Sequence, residues 1–281
     1  PPSSPSPPSH LLERLSMLLR FPKAIRSLLS LAVLVAATGV AQGLEPVAGQ
    51  PAASTVRALM ITGGCCHDYQ NQKKLISQGL SQRVGNIEWT ILEYGSGRDV
   101  KADIYTQSDW IEGFDMVVHN ECFGGVEDSE FVQGIVNAHV EHAVPAIVIH
   151  CSMHSYRNSP AADSWRAFLG VTSQRHEKSK HSLRVMATDH GKQHPILSAM
   201  GDTWQTPNGE LYIIEKVWPK TQVLAKVRSE ETGKDEPVIW TNQHRGVRVF
   251  GISLGHHNET IETDTWQNIV AAGWKWSMEK P

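Results

Sequence analysis

Cysteine is scarce in this chain. The 281 residues hold four, and two of them, Cys65 and Cys66, are adjacent. That count and spacing do not match a disulfide-stapled secreted scaffold. Cys122 and Cys151 fall near the ends of separate expected strands and are either buried thiols or partners. Charge of one sign is also lacking: 26 Lys and Arg stand against 29 Asp and Glu, a formal net charge of −3. Nothing in this balance calls for nucleic acid or an anionic membrane as partner. The local basic cluster of Arg175, His176, Lys178, Lys180, His181 and Arg184 reads as the rim of a pocket or a solvated face. The longest N-terminal apolar run, residues 28–38, falls well short of the roughly 20 residues that a spanning helix needs. No G-x-G-x-x-G, phosphate-loop lysine or H-E-x-x-H pattern occurs, and no Gly-x-Ser-x-Gly surrounds Ser152, so no nucleotide or zincin reading starts from a motif and none marks Ser152 as a hydrolase nucleophile.

The first 54 residues read as a leader. Residues 1–10 are mostly Pro and Ser, and the basic segment 20–26 precedes the short apolar run. Gly39-Val40-Ala41 then offers small residues at a signal-peptidase site. This order of parts predicts a signal peptide over about 17–41, a mature start near Gln42 and a linker to residue 54. The expected location is periplasmic or secreted, with no stable membrane span in the mature protein.

From residue 55 to 281 the pattern alternates. Apolar segments at 56–62, 115–119, 146–149 and 247–254 have the uninterrupted Val, Ile and Leu character of strands buried on both faces. Helical spacing follows at 70–83, at 131–140, and at 263–278, where Trp266, Ile269, Val270 and Trp274 share one face. This predicts an α/β domain with a doubly wound, largely parallel sheet. From residue 182 onward several strand-like pieces come with few helical intervals, a β-rich C-terminal elaboration.

Histidine placement carries the functional signal. His67 follows the first expected strand and Gly63-Gly64; His150 ends another; His256 and His257 follow the last. Parallel strands of an α/β sheet bring such ends to one edge, where these folds bind ligands. His67, His150 and His256 or His257 are therefore the candidate ligands of a divalent metal, zinc among the options, with Glu121 and Glu210 as the carboxylates to complete the shell. The same imidazoles are equally suited to acid–base work or to holding loops together. Asp68 either orients His67 or faces solvent. Cys151 reads first as a packed thiol, with a nucleophilic role behind it because no glycine elbow surrounds it.

Together these segments resemble the ThuA-like, or trehalose-utilisation, family. The resemblance runs from Val56 to Ser277. It rests on Thr62-Gly63-Gly64 with His67-Asp68, Ile149-His150, and Phe168-Leu169-Gly170 followed by His176. His194-Pro195-Ile196, Glu210-Leu211-Tyr212 and Leu254-Gly255-His256-His257 extend it. It implies a class I glutamine amidotransferase-like architecture, without implying glutamine hydrolysis, and a link to carbohydrate metabolism. Carried over by motif, the pocket residues are His67, His150, His176, Glu210 and His256 or His257, with Tyr212 facing substrate. With the export signal, the expectation is an exported carbohydrate-active enzyme. Its substrate would be a small sugar or oxidised sugar, with His67, Glu210 and His257 catalytic and His176 and Tyr212 binding substrate. The alternative is a non-catalytic sugar-binding protein, which would present an open aromatic surface from Trp110, Trp165, Trp204, Trp218 or Trp240.

Overall fold

The computed structural model describes residues 55–279. The expected signal peptide and linker lie outside the described residues. In chain order the elements are β1 (Val56–Gly64), α1 (Tyr69–Val84), β2 (Ile87–Tyr94), β3 (Met116–Cys122), α2 (Ser129–His142), β4 (Ala146–Ile149), α3 (Ala162–Leu169), β5 (Val171–Lys180) and β6 (Arg184–Ala187). There follow α4 (Asp189–Lys192), β7 (Thr203–Gln205), β8 (Glu210–Val217), β9 (Gln222–Arg228), β10 (Asp235–His244), β11 (Val247–Ile252), α5 (Asn258–Ile261) and α6 (Asp264–Met278).

Nine strands form one sheet in the order β2-β1-β3-β4-β11-β10-β9-β6-β7. The first five run parallel, so the four apolar segments expected to share a sheet do so, with their C-terminal ends at one edge. Their two-sided apolar character has a simple cause: helices cover both faces. Met60, Ile147, Ile149 and Phe250 pack with Ile76 and Leu80 of α1 and with Trp266, Ile269, Val270 and Trp274 of α6. Leu59, Ile61, Val117, Val148 and Val249 pack on the other side with Val132, Ile135 and Val136 of α2 and Trp165, Phe168 and Leu169 of α3. Each such side chain taken fully out of water contributes about 1.5–3 kcal/mol before chain entropy is set against it. No helix among the described residues is long and apolar enough to cross a membrane.

The β-rich elaboration splits in two. β10, β9, β6 and β7 extend the main sheet antiparallel, while β5 and β8 pair with each other as a separate two-stranded sheet. The polar stretch after residue 157 thus becomes α3 and β5. The β5–β8 register sets His176 opposite Tyr212 and Lys180 opposite Glu210.

Two glycines decide how β1 ends. Gly63 and Gly64 have φ of +127° and +97°, and a Cβ on them would lie 1.7 Å from Tyr94 O and 2.3 Å from Cys122 O. Both the conformation and the close approach of neighbouring backbone therefore require glycine. Gly64→Ala is expected to lower the unfolding free energy by about 2–3 kcal/mol, the usual cost of strain plus overpacking. Urea unfolding of the two proteins checks this; an unchanged midpoint would refute it.

Candidate functional site

Four parallel strand ends and one strand start converge on a cavity of about 500 Å³. After the glycine turn at the end of β1, Cys66 has a φ of +85°, and His67 is aimed inward. His150 follows β4 directly, with a φ of +43°. A non-glycine residue in that region is strained and persists when its surroundings hold it. Here the hold is a hydrogen bond between His150 Nδ1 and the Ser253 carbonyl at 2.6 Å. His256 arrives after β11 by way of Gly255, and Glu210 opens β8.

His67, His150, His256 and Glu210 each contribute one donor atom to a group in which all lie within 4.8 Å of one another. His256 Nδ1 is 2.9 Å from His67 Nε2, 3.3 Å from His150 Nε2 and 3.2 Å from Glu210 Oε2. His150 Nε2 lies 3.3 Å from the same carboxylate oxygen. Four ligands of a tetrahedral zinc at about 2.1 Å would stand about 3.4 Å apart.

Hydrogen bonding assigns the protons. His150 donates from Nδ1 to Ser253 O, which leaves a lone pair on Nε2. His67 Nδ1 sits 3.2 Å from Cys65 O, leaving its Nε2 as an acceptor in the same way. Lys180 donates to His256 Nε2 at 2.7 Å, so the proton of that ring is on Nδ1. One N–H therefore faces three lone-pair atoms: His67 Nε2, His150 Nε2 and Glu210 Oε2. The electrostatics repeat the point. Burial, then the charges of His150 and His256, push His67 down to about 2. Burial likewise lowers His150 against the pull of Glu210. For Glu210 burial works against ionisation, but contacts with His150 and His256 outweigh it and hold the carboxyl well below the usual carboxylate range. Neutral imidazoles around an ionised, buried carboxylate are short of positive charge at their centre. A divalent cation fits this donor set.

The rest of the cavity wall is basic and aromatic. Arg98, Arg157, Arg175, Lys180 and His176 line it, with Glu210 the acidic group among the lining residues. Lys180 Nζ and His176 Nδ1 lie 3.4 and 3.5 Å from Glu210 Oε1. Tyr212 lines the cavity too, yet is only 1% exposed. Its ring stacks on His154 at 4.2 Å and leans on His150 at 4.5 Å, so it spaces histidines as well as forming wall. Burial, then the charge of Arg157, lowers His154 to about 3.

The structure sets the other candidates elsewhere. His257 is outside the four-donor group; its ring is 4.5 Å from that of His256, and its Nδ1 is buried without a partner. It lines an adjoining opening with Cys66, His67, Asp68, His256, Asn258 and Glu259. Asp68 does not orient His67. Its carboxylate caps α1, accepting from Asn71 N at 3.3 Å, and accepts from Asn258 Nδ2 at 2.8 Å. Glu121 points away from the site. The two-residue period of β3 sends it, with His119, into the α2–α3 side of the core, where His119 Nδ1 and Glu121 Oε1 are 2.9 Å apart. The cysteines are all paired, Cys65 with Cys66 and Cys122 with Cys151, so Cys151 offers neither a packed thiol nor a nucleophile in this state. Sequence reasoning passed over Arg98, Arg157 and Gln174, which come to the cavity from loops and from β5 with no local pattern to mark them.

The family model described as "ThuA: Trehalose utilisation" matches residues 57–277. Among solved structures, the chain is similar to a ThuA-like protein from Parabacteroides merdae, at 17% identity and a TM-score of 0.62, over 80% of this chain and 90% of that one. A ThuA-like protein from Bacteroides uniformis is similar at 13% identity and 0.58, over 82% and 95%. A cytoplasmic protein from Salmonella typhimurium matches at 11% and 0.53, over 79% and 99%. These identities show likeness of fold. No curated protein sequence gives a match.

Proposed function

The chain belongs to the trehalose-utilisation (ThuA) family, on a class I glutamine amidotransferase-like α/β fold, and from that premise we propose an exported, divalent-metal-dependent enzyme acting on a small sugar or oxidised sugar. The observation that carries the proposal is the excess of lone pairs at the centre of the site: His67, His150, His256 and Glu210 converge with one proton among them. His67, His150, His256 and Glu210 would hold the ion, zinc being the simplest match to three imidazoles and a carboxylate. When bound, such an ion supplies Lewis-acid polarisation of a sugar hydroxyl or carbonyl.

The chain's own residues do the rest. For His256 to hold an ion through Nδ1, its ring proton would move to Nε2, and Lys180, losing that acceptor, would turn to Glu210 Oε1, 3.4 Å away. With His67 committed to the ion, His257 beside His256 moves the substrate proton. His176 at the mouth and Tyr212 in the wall position the sugar, and the basic lining suits a carboxylate-bearing, oxidised one. The leader at 17–41 supports export of the mature domain.

The reading as a passive sugar-binding module has less behind it. Trp110, Trp165 and Trp240 are buried, and none of these or Trp204 and Trp218 lines the cavity. The test is incubation of metal-quantified protein with oxidised and unoxidised disaccharides, read by mass spectrometry. Converted sugar is expected from wild type. His150→Ala should lose metal and activity together, whereas His257→Ala should keep metal and lose about 10²–10⁴-fold in rate. Unchanged bound sugar with every metal tried would overturn the enzyme reading.

A further inference from the structure

The four cysteines form a second chemical unit in the wall of the same cavity, and the proposed sugar chemistry leaves them unused. They come from the ends of three neighbouring parallel strands: Cys65-Cys66 from β1, Cys122 from β3 and Cys151 just past β4. This brings two disulfides into contact, Cys65 Sγ lying 3.9 Å from Cys122 Sγ. Their accessibility differs. Cys66 is exposed and Cys65 half-buried, while Cys122 and Cys151 are 5% and 7% exposed beneath Tyr69. Both disulfides line the cavity, and the first presents far more surface to a reductant in solvent than the second.

We propose that the cluster is a two-disulfide relay with thiol–disulfide exchange activity, which carries two electrons from an external dithiol through Cys65–Cys66 to Cys122–Cys151. In the first exchange a thiolate of the dithiol attacks Cys66 Sγ, and Cys65 leaves as thiolate. The reagent's second thiolate attacks its own bound sulfur, which releases Cys66 as thiolate and the reagent as a disulfide. Cys65 then attacks Cys122 Sγ across the 3.9 Å contact, forming a Cys65–Cys122 bond while Cys151 leaves. Finally Cys66 attacks Cys65, restoring the first disulfide and releasing Cys122. The net change is oxidation of one dithiol and reduction of Cys122–Cys151 to two thiols, with the dithiol's two protons accounted for on the product thiols. The peptide that opens and closes carries the Cys65 carbonyl holding His67 Nδ1, so the relay acts on the turn that orients a site histidine.

The intermediate gives the test. In a Cys66→Ser protein purified without reductant, Cys65 has no resolving partner. Acid quenching, alkylation and peptide mapping should then recover a Cys65–Cys122 linkage with Cys151 alkylated. Full alkylation of Cys65 beside an intact Cys122–Cys151 bond would overturn the relay, as would four alkylatable thiols in oxidised wild type. A second measurement does not depend on that variant. Reduction of Cys122–Cys151 by dithiothreitol should be at least about tenfold slower in a Cys65→Ser/Cys66→Ser protein than in wild type. Equal rates would mean that solvent reaches the inner disulfide directly, and the proposal would fail.

Discussion

Glu210→Gln is expected to abolish any stabilisation by zinc and, near neutral pH, to leave the protein without zinc less stable than wild type, because the contacts that hold the carboxyl ionised lose its charge. Glu210 Oε2 lies 3.2 Å from His256 Nδ1 and 3.3 Å from His150 Nε2, and these contacts hold the carboxyl ionised against its burial. A glutamine amide keeps the shape of the side chain but loses the charge that those contacts and Lys180, 3.4 Å from Oε1, favour. The same change takes an anionic ligand from the ion. The affinity loss should exceed the roughly 10–100-fold that follows removal of a mere supporting partner. Scanning calorimetry with and without zinc reads both effects. A zinc-induced rise in Tm that survives the substitution would remove Glu210 from the ligand set, and a zinc-free variant as stable as wild type would show that the contacts of the ionised carboxylate add nothing to the fold.

Which parts of this were legible in the sequence follows from the range of the interactions. The parallel core was, because strands covered on both faces must be apolar at every position, and segments such as 146–149 carry that requirement locally. So was the meeting of His67, His150 and His256, since strand ends on one sheet edge are neighbours whatever their separation in sequence. Glu210 was named beside Glu121 as a carboxylate for the histidine cluster and again through the family resemblance, although nothing local marks the first residue of β8 as a ligand. The β5–β8 ribbon was missed because β5, from Thr172 to Lys180, is largely polar and exposed, and its pairing with β8 is set by a partner some forty residues away. The fate of Glu121 turned on parity alone: one residue along β3 decides which side of the sheet a side chain takes. The cysteines were undecidable for a related reason. Cys122 and Cys151 are 29 residues apart, and only the adjacency of β3 and β4 puts their sulfurs together.

Acid should unfold the metal-free protein over an unusually wide range, beginning near pH 6.5, through histidines that no sequence pattern marked. Burial, then the charge of His119, lowers His139 to about 3, and His154 is lowered to about 3 as well. His139 is fully buried. It donates from Nδ1 to Val144 O at 2.7 Å, and its Nε2 meets His119 Nε2 at 3.1 Å. The direction of the effect follows from the shift. Below the ordinary value of 6.5 the unfolded chain takes up a proton at each of these residues that the folded chain refuses, so stability falls with pH from 6.5 down to about 3. Each histidine contributes about 1.4 kcal/mol per pH unit, and the two together cost about 5 kcal/mol by pH 4.5, comparable to the whole stability of many domains. Glu210 adds to the loss only below its ordinary 4.5, so the interval above that isolates the imidazoles, with His67 and His150 acting in the same direction. Urea unfolding at several pH values between 6.5 and 4.5 should show a slope of at least about two protons. His139→Asn, whose amide reproduces the Nδ1 donor toward Val144 without titrating, should reduce that slope by about one proton. A flat profile in wild type, or an unchanged slope in the variant, would mean that the buried imidazoles are reached by water or already charged in the native protein.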